Sequence, residues 1–186
     1  MNNNDIMRAL SFAAIKHKDQ FRKDGSPYIT HPIKVVELIN KYFKDNPLLI
    51  EYVVSGYLHD TVEDTDATIE EIKSLFGDIV AKLVNDLTND PEMVKKMGKT
   101  DYLCYKLVNM DDDALNIKLC DRLANIIDLT NAPLLFEERY EVETIVIINY
   151  VLNNRTLTPI QREIINEINK SINDLRKPYI QKLIKE

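Results

Sequence analysis

The chain has 186 residues, 45% of them hydrophobic and 29% charged, and a formal net charge of −6. This length is enough for one domain with a sizeable core, and we expect a single domain over residues 1–186. A negative chain disfavours broad binding to nucleic acid or to an anionic membrane, since both need a basic surface. With no apolar run near the roughly 18 residues of a membrane span and no signal-peptide pattern, a cytoplasmic location is expected.

Four glycines occur in the chain, fewer than strand-and-turn folds usually need, and none forms a glycine-rich phosphate loop. The apolar residues recur mostly at helical spacing, which predicts an all-α fold, a bundle of about eight to ten helices. Cys104 and Cys120 lie among apolar residues, so we expect them to be reduced and buried, with a disulfide between them left open.

The first half of the chain predicts three helices before the densest polar segment. The first carries an apolar stripe over residues 6–14. The second is expected to begin at Pro32, directly after His31, because proline suits the first helical position. The third is expected to open at Pro47 and end near His59. It is apolar on most sides, so we expect it to be central.

Further helices are predicted from caps and breaks. Thr68 and Glu71 have the spacing of a capping box, which predicts a helix start. Gly77 is expected to separate that helix from the next one. Residues 91–110 have the pattern of one ragged helix, interrupted around Gly98.

Three more helices are predicted in the last third of the chain. One begins at the acidic run that starts with Asp111, whose charges suit a helix N-terminus. The second covers residues 137–152. The third has Thr158 as its cap and Pro159 at its first position, and Pro178 is expected to end it.

The densest polar cluster covers residues 57–64 and directly follows the apolar third helix. On a helix, His59 and Glu63 share one face, as do Asp60 and Asp64, because each pair is four residues apart. Two acids so close repel each other unless a cation lies near, and a divalent metal would supply one. Histidine and aspartate together suit Mn, Fe or Zn. The alternative is a helix end whose acids are simply solvated.

Two other polar residues have mostly apolar neighbours in the sequence. Asp121 is flanked by apolar residues, with Asn125 one turn further on the same face. Because buried acids are rarely unpaired, Asp121 is either a metal ligand or the partner of a base such as Arg122. His31, at the predicted start of the second helix, is either a ligand or an ordinary cap or surface histidine.

The spacing of these residues resembles that of the HD-domain phosphohydrolases, and within them the hydrolase domain of RelA/SpoT-type proteins. The likeness covers about residues 5–155 and leaves C-terminal helices at 156–186. The length resembles that of the small alarmone hydrolases and the metazoan SpoT homologue. Four segments carry the resemblance, in the family's order: FRKDGSPYITHP at 21–32, YLHDTVEDT at 57–65, FGDIV at 76–80 and KLCDRLAN at 118–125.

The resemblance implies a Mn-dependent enzyme of the stringent response that removes the 3′-pyrophosphate from (p)ppGpp, giving GDP or GTP and pyrophosphate. Glu63 and Asp64 would position or deprotonate the attacking water. The mixed histidine and carboxylate set favours Mn over structural Zn, which prefers thiolates. The implied metal ligands are His31, His59, Asp60 and Asp121.

The same resemblance implies a pocket for a guanine nucleotide. Arg22 would pack its planar guanidinium on the base. Lys23 and Ser26 would line that pocket, and Asn125 would contact the nucleotide or hold the geometry of the site. Three lysines are candidates for the 5′-phosphates, although a solvated helix face is the more common role of such residues: Lys95, Lys96 and Lys99.

Three positions depart from the family pattern and leave the substrate open. Ala124 stands where the family often has His or Tyr, Ile127 where a basic residue is common, and Asp128 where Thr is frequent in bifunctional enzymes. All three are expected near the nucleotide rather than the metal. The alternatives are therefore an HD-type phosphatase on another nucleotide, such as the 2′-phosphate of NADPH, or a non-catalytic nucleotide-binding module.

Overall fold

The computed structural model describes residues 1–129 and 134–183. Within them the chain forms ten helices and one isolated bridge, between Phe21 and Pro27, so the predicted all-α fold is confirmed. No helix in these two stretches is long and apolar enough to cross a membrane. The helices are α1 Asn3–Lys16, α2 Thr30–Phe43, α3 Leu49–Leu58, α4 Thr61–Asp64, α5 Ile69–Leu87, α6 Pro91–Met97, α7 Lys99–Asn109, α8 Asp112–Asp128, α9 Leu134–Asn154 and α10 Pro159–Leu183.

Helix α8 runs through the centre of the molecule. All of its residues from Ala114 to Ala124 are buried, and it packs against α2, α3, α5 and α10. The buried set includes Lys118, Asp121 and Arg122, whose charges must therefore find partners inside the protein. Helix α3 is also central, as its sequence predicts, since it packs against α1, α2, α5 and α8.

Helices α2 and α3 lie very close together at Gly56. A Cβ atom at this position would be 2.6 Å from Cδ1 of Ile39 and 3.1 Å from Cγ2 of Val36. The two helices are joined by a short connection, which favours an antiparallel pair. The start of α2 and the end of α3 therefore meet, and this brings His31 and His59 to the same end of the pair.

Several predicted helix boundaries agree with the structure. Gly77 interrupts α5 with a φ of 85°, and Gly98 separates α6 from α7 with a φ of 82°. Glycine adopts such positive φ values without the strain that a Cβ atom would cause. Thr68 caps α5 by accepting a hydrogen bond from the backbone N–H of Glu71.

Two helices start elsewhere than predicted. Helix α2 begins at Thr30 rather than Pro32, so His31 lies inside its first turn. Pro32 is tolerated there because the first N–H groups of a helix have no intrahelical acceptor to lose. Helix α3 begins at Leu49, since Pro47 lies in a preceding turn.

The later helices contain two further corrections. Asp111 occupies the N-cap position of α8 but makes no capping hydrogen bond, because its carboxylate pairs with Lys82. Thr158 caps α10 as predicted. The prediction that Pro178 ends this helix is wrong, since α10 continues to Leu183. Proline has a helical φ and forfeits one hydrogen bond, so a helix can continue through it.

Arg155, just after α9, joins the end of α7 to the start of α8. Its NH1 group donates to the backbone carbonyls of Leu107, Val108 and Met110, at 2.9, 3.1 and 2.5 Å. Its NH2 group donates to Asp112 at 2.8 Å. The guanidinium therefore satisfies carbonyls at a helix C-terminus and fixes where the central helix begins.

Replacing Arg155 with Met keeps most of the side chain's volume but leaves these carbonyls without a donor. We expect the free energy of unfolding to fall by about 2–3 kcal/mol, measured by urea denaturation. Arg162→Met, at an exposed position of α10, is the control and should change it by less than about 0.5 kcal/mol. Equal stability of the two variants would contradict this role of Arg155.

Candidate functional site

Four side chains, from α2, from the turn between α3 and α4, and from α8, converge at one end of the α2–α3 pair. Nε2 of His31 lies 3.0 Å from Oδ1 of Asp121 and 3.8 Å from Oδ2 of Asp60. Nε2 of His59 lies 2.9 Å from Oδ2 of Asp60 and 3.6 Å from Oδ1 of Asp121. The structure thus brings together all four residues that the resemblance implies as ligands. We refer to them as the His-Asp cluster.

The geometry of the His-Asp cluster fits a single metal ion. Two ligand atoms that each lie about 2.1 Å from one ion are about 3.0–3.4 Å apart at octahedral or tetrahedral angles. The four separations above bracket this range. Three of the residues, His31, His59 and Asp121, are buried and form a group that could hold a metal.

The hydrogen bonding of His59 points in the same direction. Its Nδ1–H donates to the backbone carbonyl of Gly56 at 2.9 Å, so in the neutral ring the lone pair is on Nε2. That Nε2 atom is buried and has no hydrogen-bond partner among the described residues, since Asp60 is near but not aligned. An imidazole nitrogen presented in this way suits metal coordination.

The charges of the cluster are mutually dependent. Burial opposes the charged form of His59, but Asp60 and Asp121 outweigh it and raise the pKa of His59 to about 10. Burial likewise opposes the charged form of Asp121, yet Lys118 and the two histidines hold its pKa well below its usual range. Without a metal, the protonated imidazole thus balances carboxylate charge, and a metal would replace that proton.

Three neighbours orient the two aspartates. The hydroxyl of Tyr28 donates to Oδ2 of Asp60 at 2.5 Å. The buried ammonium of Lys118 lies 2.8 Å from Oδ2 of Asp121, and Asn125 Nδ2 donates to the other oxygen, Oδ1, at 2.8 Å. Such outer partners fix the direction in which a carboxylate presents its remaining lone pairs.

Glu63 and Asp64 line one cavity together with three members of the cluster, and we call it the cluster cavity. Glu63 accepts hydrogen bonds from both the backbone and the side chain of Asn89, at 2.9 and 3.0 Å. Burial, together with the charges of Asp60 and Glu63, raises the pKa of Asp64 to about 6. The two neighbouring carboxylates therefore have different environments, as in many sites that use one carboxyl for proton transfer.

A second cavity, of about 160 Å³, adjoins the first, and Tyr28, Asn125 and Tyr140 line both. We call it the Arg22 cavity. Its two basic and two acidic side chains cancel in formal charge, and aromatic rings make up much of the rest of its wall. Its lining comprises Phe21, Arg22, Lys23, Asp24, Tyr28, Asn125, Asp128, Leu129, Phe136 and Tyr140.

Arg22 is held edge-on in this cavity by α8. Its NH1 group donates to Oδ1 of Asn125 at 3.2 Å and its NH2 group to Oδ2 of Asp128 at 3.1 Å. Hydrogen bonds donated by guanidinium N–H groups run near the plane of the group, so these two bonds do not occupy its faces. Lys23 also lines the cavity, with its ammonium 5.6 Å from the ring centre of Phe136.

Some predicted substrate contacts lie elsewhere. Ser26 lines neither cavity, and its hydroxyl donates to Asp24 at 2.7 Å within the turn after α1. Lys95 and Lys96 are exposed on α6 and line neither cavity. Lys99, at the start of α7, lines the cluster cavity. Ala124 is buried, so it offers no surface to a ligand.

Sequence reasoning missed several residues that position the site. Lys118 could have been found, because it lies three residues before Asp121 on one helix face. The sequence marks Asp128 as a departure from the family pattern but does not predict that it pairs with Arg22. Asn89 carried no signal, since it contacts Glu63 across 26 residues of sequence.

Comparison with known families agrees with this geometry. The family model described as HD domain matches residues 9–155, which is most of the chain. This chain belongs to the HD-domain family. The predicted resemblance to the RelA/SpoT hydrolase type is also confirmed, because relatives named guanosine-3′,5′-bis(diphosphate) 3′-pyrophosphohydrolase match two thirds of the chain and a metazoan ortholog of SpoT has the same fold.

The relatives include both short and long proteins. Guanosine-3′,5′-bis(diphosphate) 3′-pyrophosphohydrolase MESH1 of Danio rerio is 36% identical over 126 residues, which cover 67% of this chain and 68% of that protein. The enzyme named guanosine-3′,5′-bis(diphosphate) 3′-pyrophosphohydrolase of Aquifex aeolicus is 40% identical over 131 residues, 66% of this chain. That match spans only 17% of the Aquifex protein.

Solved structures show the same fold. A structure reported as a metazoan ortholog of SpoT that hydrolyzes ppGpp matches with a TM-score of 0.75 and 24% identity, covering 96% of this chain and 97% of that one. The Listeria monocytogenes protein lmo0812 matches with a TM-score of 0.64 and 22% identity, over 82% and 99% of the two chains. The fold of the metazoan ortholog therefore extends over nearly the whole chain.

The raised pKa of Asp64 has a consequence for stability. Because the folded-state pKa, about 6, lies above the usual value of 3.8, the folded protein loses stability as pH rises through this window. Asp64→Asn removes that loss. We expect the metal-stripped variant to be more stable than the parent by about 1–2 kcal/mol at pH 7.5, allowing for solvent screening of a half-exposed carboxyl.

Urea denaturation of both proteins in chelator at pH 4.5 and pH 7.5 measures this difference. The advantage of Asp64→Asn should be smaller at pH 4.5, because this pH lies between the unfolded value of 3.8 and the folded pKa of about 6, where only part of the loss has occurred. A difference that is the same at both pH values would show that Asp64 titrates normally in the folded protein.

Proposed function

We propose that this chain is a metal-dependent 3′-pyrophosphohydrolase of ppGpp and pppGpp, which releases pyrophosphate and leaves GDP or GTP. The observation that carries the proposal is the adjacency of the two cavities. One contains the His-Asp cluster with two further carboxylates, and the other has a neutral aromatic wall around Arg22. The names of the relatives at 36–40% identity support the same reaction.

We propose Mn²⁺ as the metal, bound by the His-Asp cluster, because mixed imidazole and carboxylate ligands suit it. A bound divalent ion would lower the pKa of a coordinated water and neutralise charge on a phosphoryl oxygen. Among the residues that line the cluster cavity, four carboxylates outnumber three basic groups, so the cavity has a formal charge of −1. A divalent ion would make it +1, which favours a phosphate.

Glu63 and Asp64 act on the attacking water. Asp64, whose pKa of about 6 lies near neutrality, accepts the proton of the water as general base. Glu63, fixed by Asn89, accepts the second hydrogen of the water and so orients its oxygen toward phosphorus. Tyr28 remains a hydrogen-bond donor to Asp60, because burial and that carboxylate both raise the pKa of its hydroxyl.

The Arg22 cavity holds the base of the nucleotide. Its charges cancel, so it favours an uncharged ring over a phosphate, and the in-plane bonds of Arg22 leave a face for stacking on a purine. Lys99, Lys118 and Arg122 line the cluster cavity and would face the phosphates. We propose a free guanine nucleotide as substrate, in the cytoplasm, rather than nucleic acid or a membrane.

A product assay tests the proposal directly. Purified protein with added Mn²⁺ should release pyrophosphate from ppGpp and pppGpp, and excess chelator should abolish the release. NADPH is assayed in parallel for release of inorganic phosphate. Turnover of NADPH alone would overturn the choice of substrate, and nucleotide binding without any turnover would favour the non-catalytic module.

The variant Asp60→Ala tests whether Asp60 is a metal ligand. We expect this variant to lose pyrophosphate release. Its Mn²⁺ affinity should fall by more than the roughly 10- to 100-fold that is typical when a residue hydrogen-bonded to a metal ligand is removed. Asp66→Ala, at an exposed position nearby, is the matched control and should keep both properties. Metal content by elemental analysis and the rate of pyrophosphate release are measured together. Full activity of Asp60→Ala would contradict its role as a ligand.

A further inference from the structure

The carboxylate of Glu63 is held at both of its oxygens by one distant residue. The backbone N–H of Asn89 donates to Oε2 at 2.9 Å, and its side-chain Nδ2 donates to Oε1 at 3.0 Å. Asn89 lies in the connection between α5 and α6, so it is anchored independently of α4, which carries Glu63. This two-point contact restricts both the position and the rotation of the carboxylate.

Lys106, on α7, determines which way the side chain of Asn89 points. Its ammonium donates to the carbonyls of Leu87 and Thr88, at 3.0 and 2.5 Å, and to Oδ1 of Asn89 at 3.2 Å. The three acceptors match the three N–H bonds of an ammonium group. Because Lys106 can only donate, it requires the oxygen of the Asn89 amide and turns the NH₂ group toward Glu63.

We propose that Asn89 and Lys106 are positioning residues that set the orientation of the Glu63 carboxylate for the attacking water. The inference rests on the proposed function, in which Glu63 orients that water. Neither residue belongs to the resemblance-derived site. A carboxylate free to rotate would present the water in many directions, and small misplacements of reacting groups reduce rates strongly.

A purely structural role makes a different prediction. Lys106 also satisfies carbonyls at the C-terminal end of α5, so its removal could lower stability without affecting Glu63 in particular. A double-mutant cycle with Glu63→Gln separates the two roles, since a positioning effect exists only while the Glu63 carboxylate is present.

The experiment measures kcat and KM for pyrophosphate release from ppGpp with Mn²⁺. Asn89→Ala and Lys106→Met should each lower kcat about 10-fold and leave KM within about twofold, because the water rather than the nucleotide is misoriented. In the Glu63→Gln background the same changes should lower kcat no further. Lys82→Met, at an exposed lysine beside Lys106, is the control and should keep the parent kcat.

The outcomes distinguish this inference from the proposed function. Equal losses in both backgrounds, or parent kcat in Asn89→Ala, would overturn the positioning role while pyrophosphate release itself stands. If the parent protein releases no pyrophosphate, the proposed function fails. The positioning role is then decided by a crystal structure of Lys106→Met, in which the Glu63 carboxylate should have lost its Oε1 contact with the Asn89 amide and rotated about its remaining bond to the backbone N–H. A carboxylate that stays would overturn it.

Asn89→Asp is a second variant, which keeps the inference testable if Asn89→Ala does not fold. It is isosteric and still pairs with Lys106, but it places a carboxylate against Glu63. We expect it to lower kcat at least as much as Asn89→Ala does, at an unchanged melting temperature. Full activity in a well-folded Asn89→Asp protein would overturn the inference.

Discussion

The burial of charge on α8 is the constraint on which the rest of the structure depends. Asp121 and Lys118 lie on a helix that is enclosed by α2, α3, α5 and α10, so their charges are largely removed from water and face only the cluster cavity. They are matched instead by each other and by His31 and His59. The close contact of α2 with α3 brings these two histidines next to α8.

The same helix joins the two cavities into one site. One turn after Asp121, Asn125 donates to that aspartate and accepts from Arg22, and Asp128 binds the other side of the guanidinium. A single rigid element therefore sets the distance between the base and the metal. Groups on rigid elements keep their geometry better than groups on loops, and α8 supplies the residues that join the cluster to Arg22, which lies in the loop before α2.

The sequence predicts the fold class and the four-residue cluster well, because helical periodicity and the two histidines with their aspartates are local signals or family motifs. It fails at two local details and at one long-range contact. Pro178 does not end α10, and the Ser26 hydroxyl bonds to Asp24 within its own turn instead of lining a cavity. Asn89 reaches Glu63 only because α5 returns to α4, which no spacing along the chain indicates.

The central claim is that the His-Asp cluster is a metal centre, and anomalous diffraction tests it most directly. Data collected at the manganese edge from crystals grown with Mn²⁺ should show one strong peak. We predict that it lies about 2.0–2.4 Å from Nε2 of His31, Nε2 of His59 and one carboxylate oxygen each of Asp60 and Asp121. If the protein is fully occupied by metal in solution and the crystal shows no peak at the cluster, the account is contradicted.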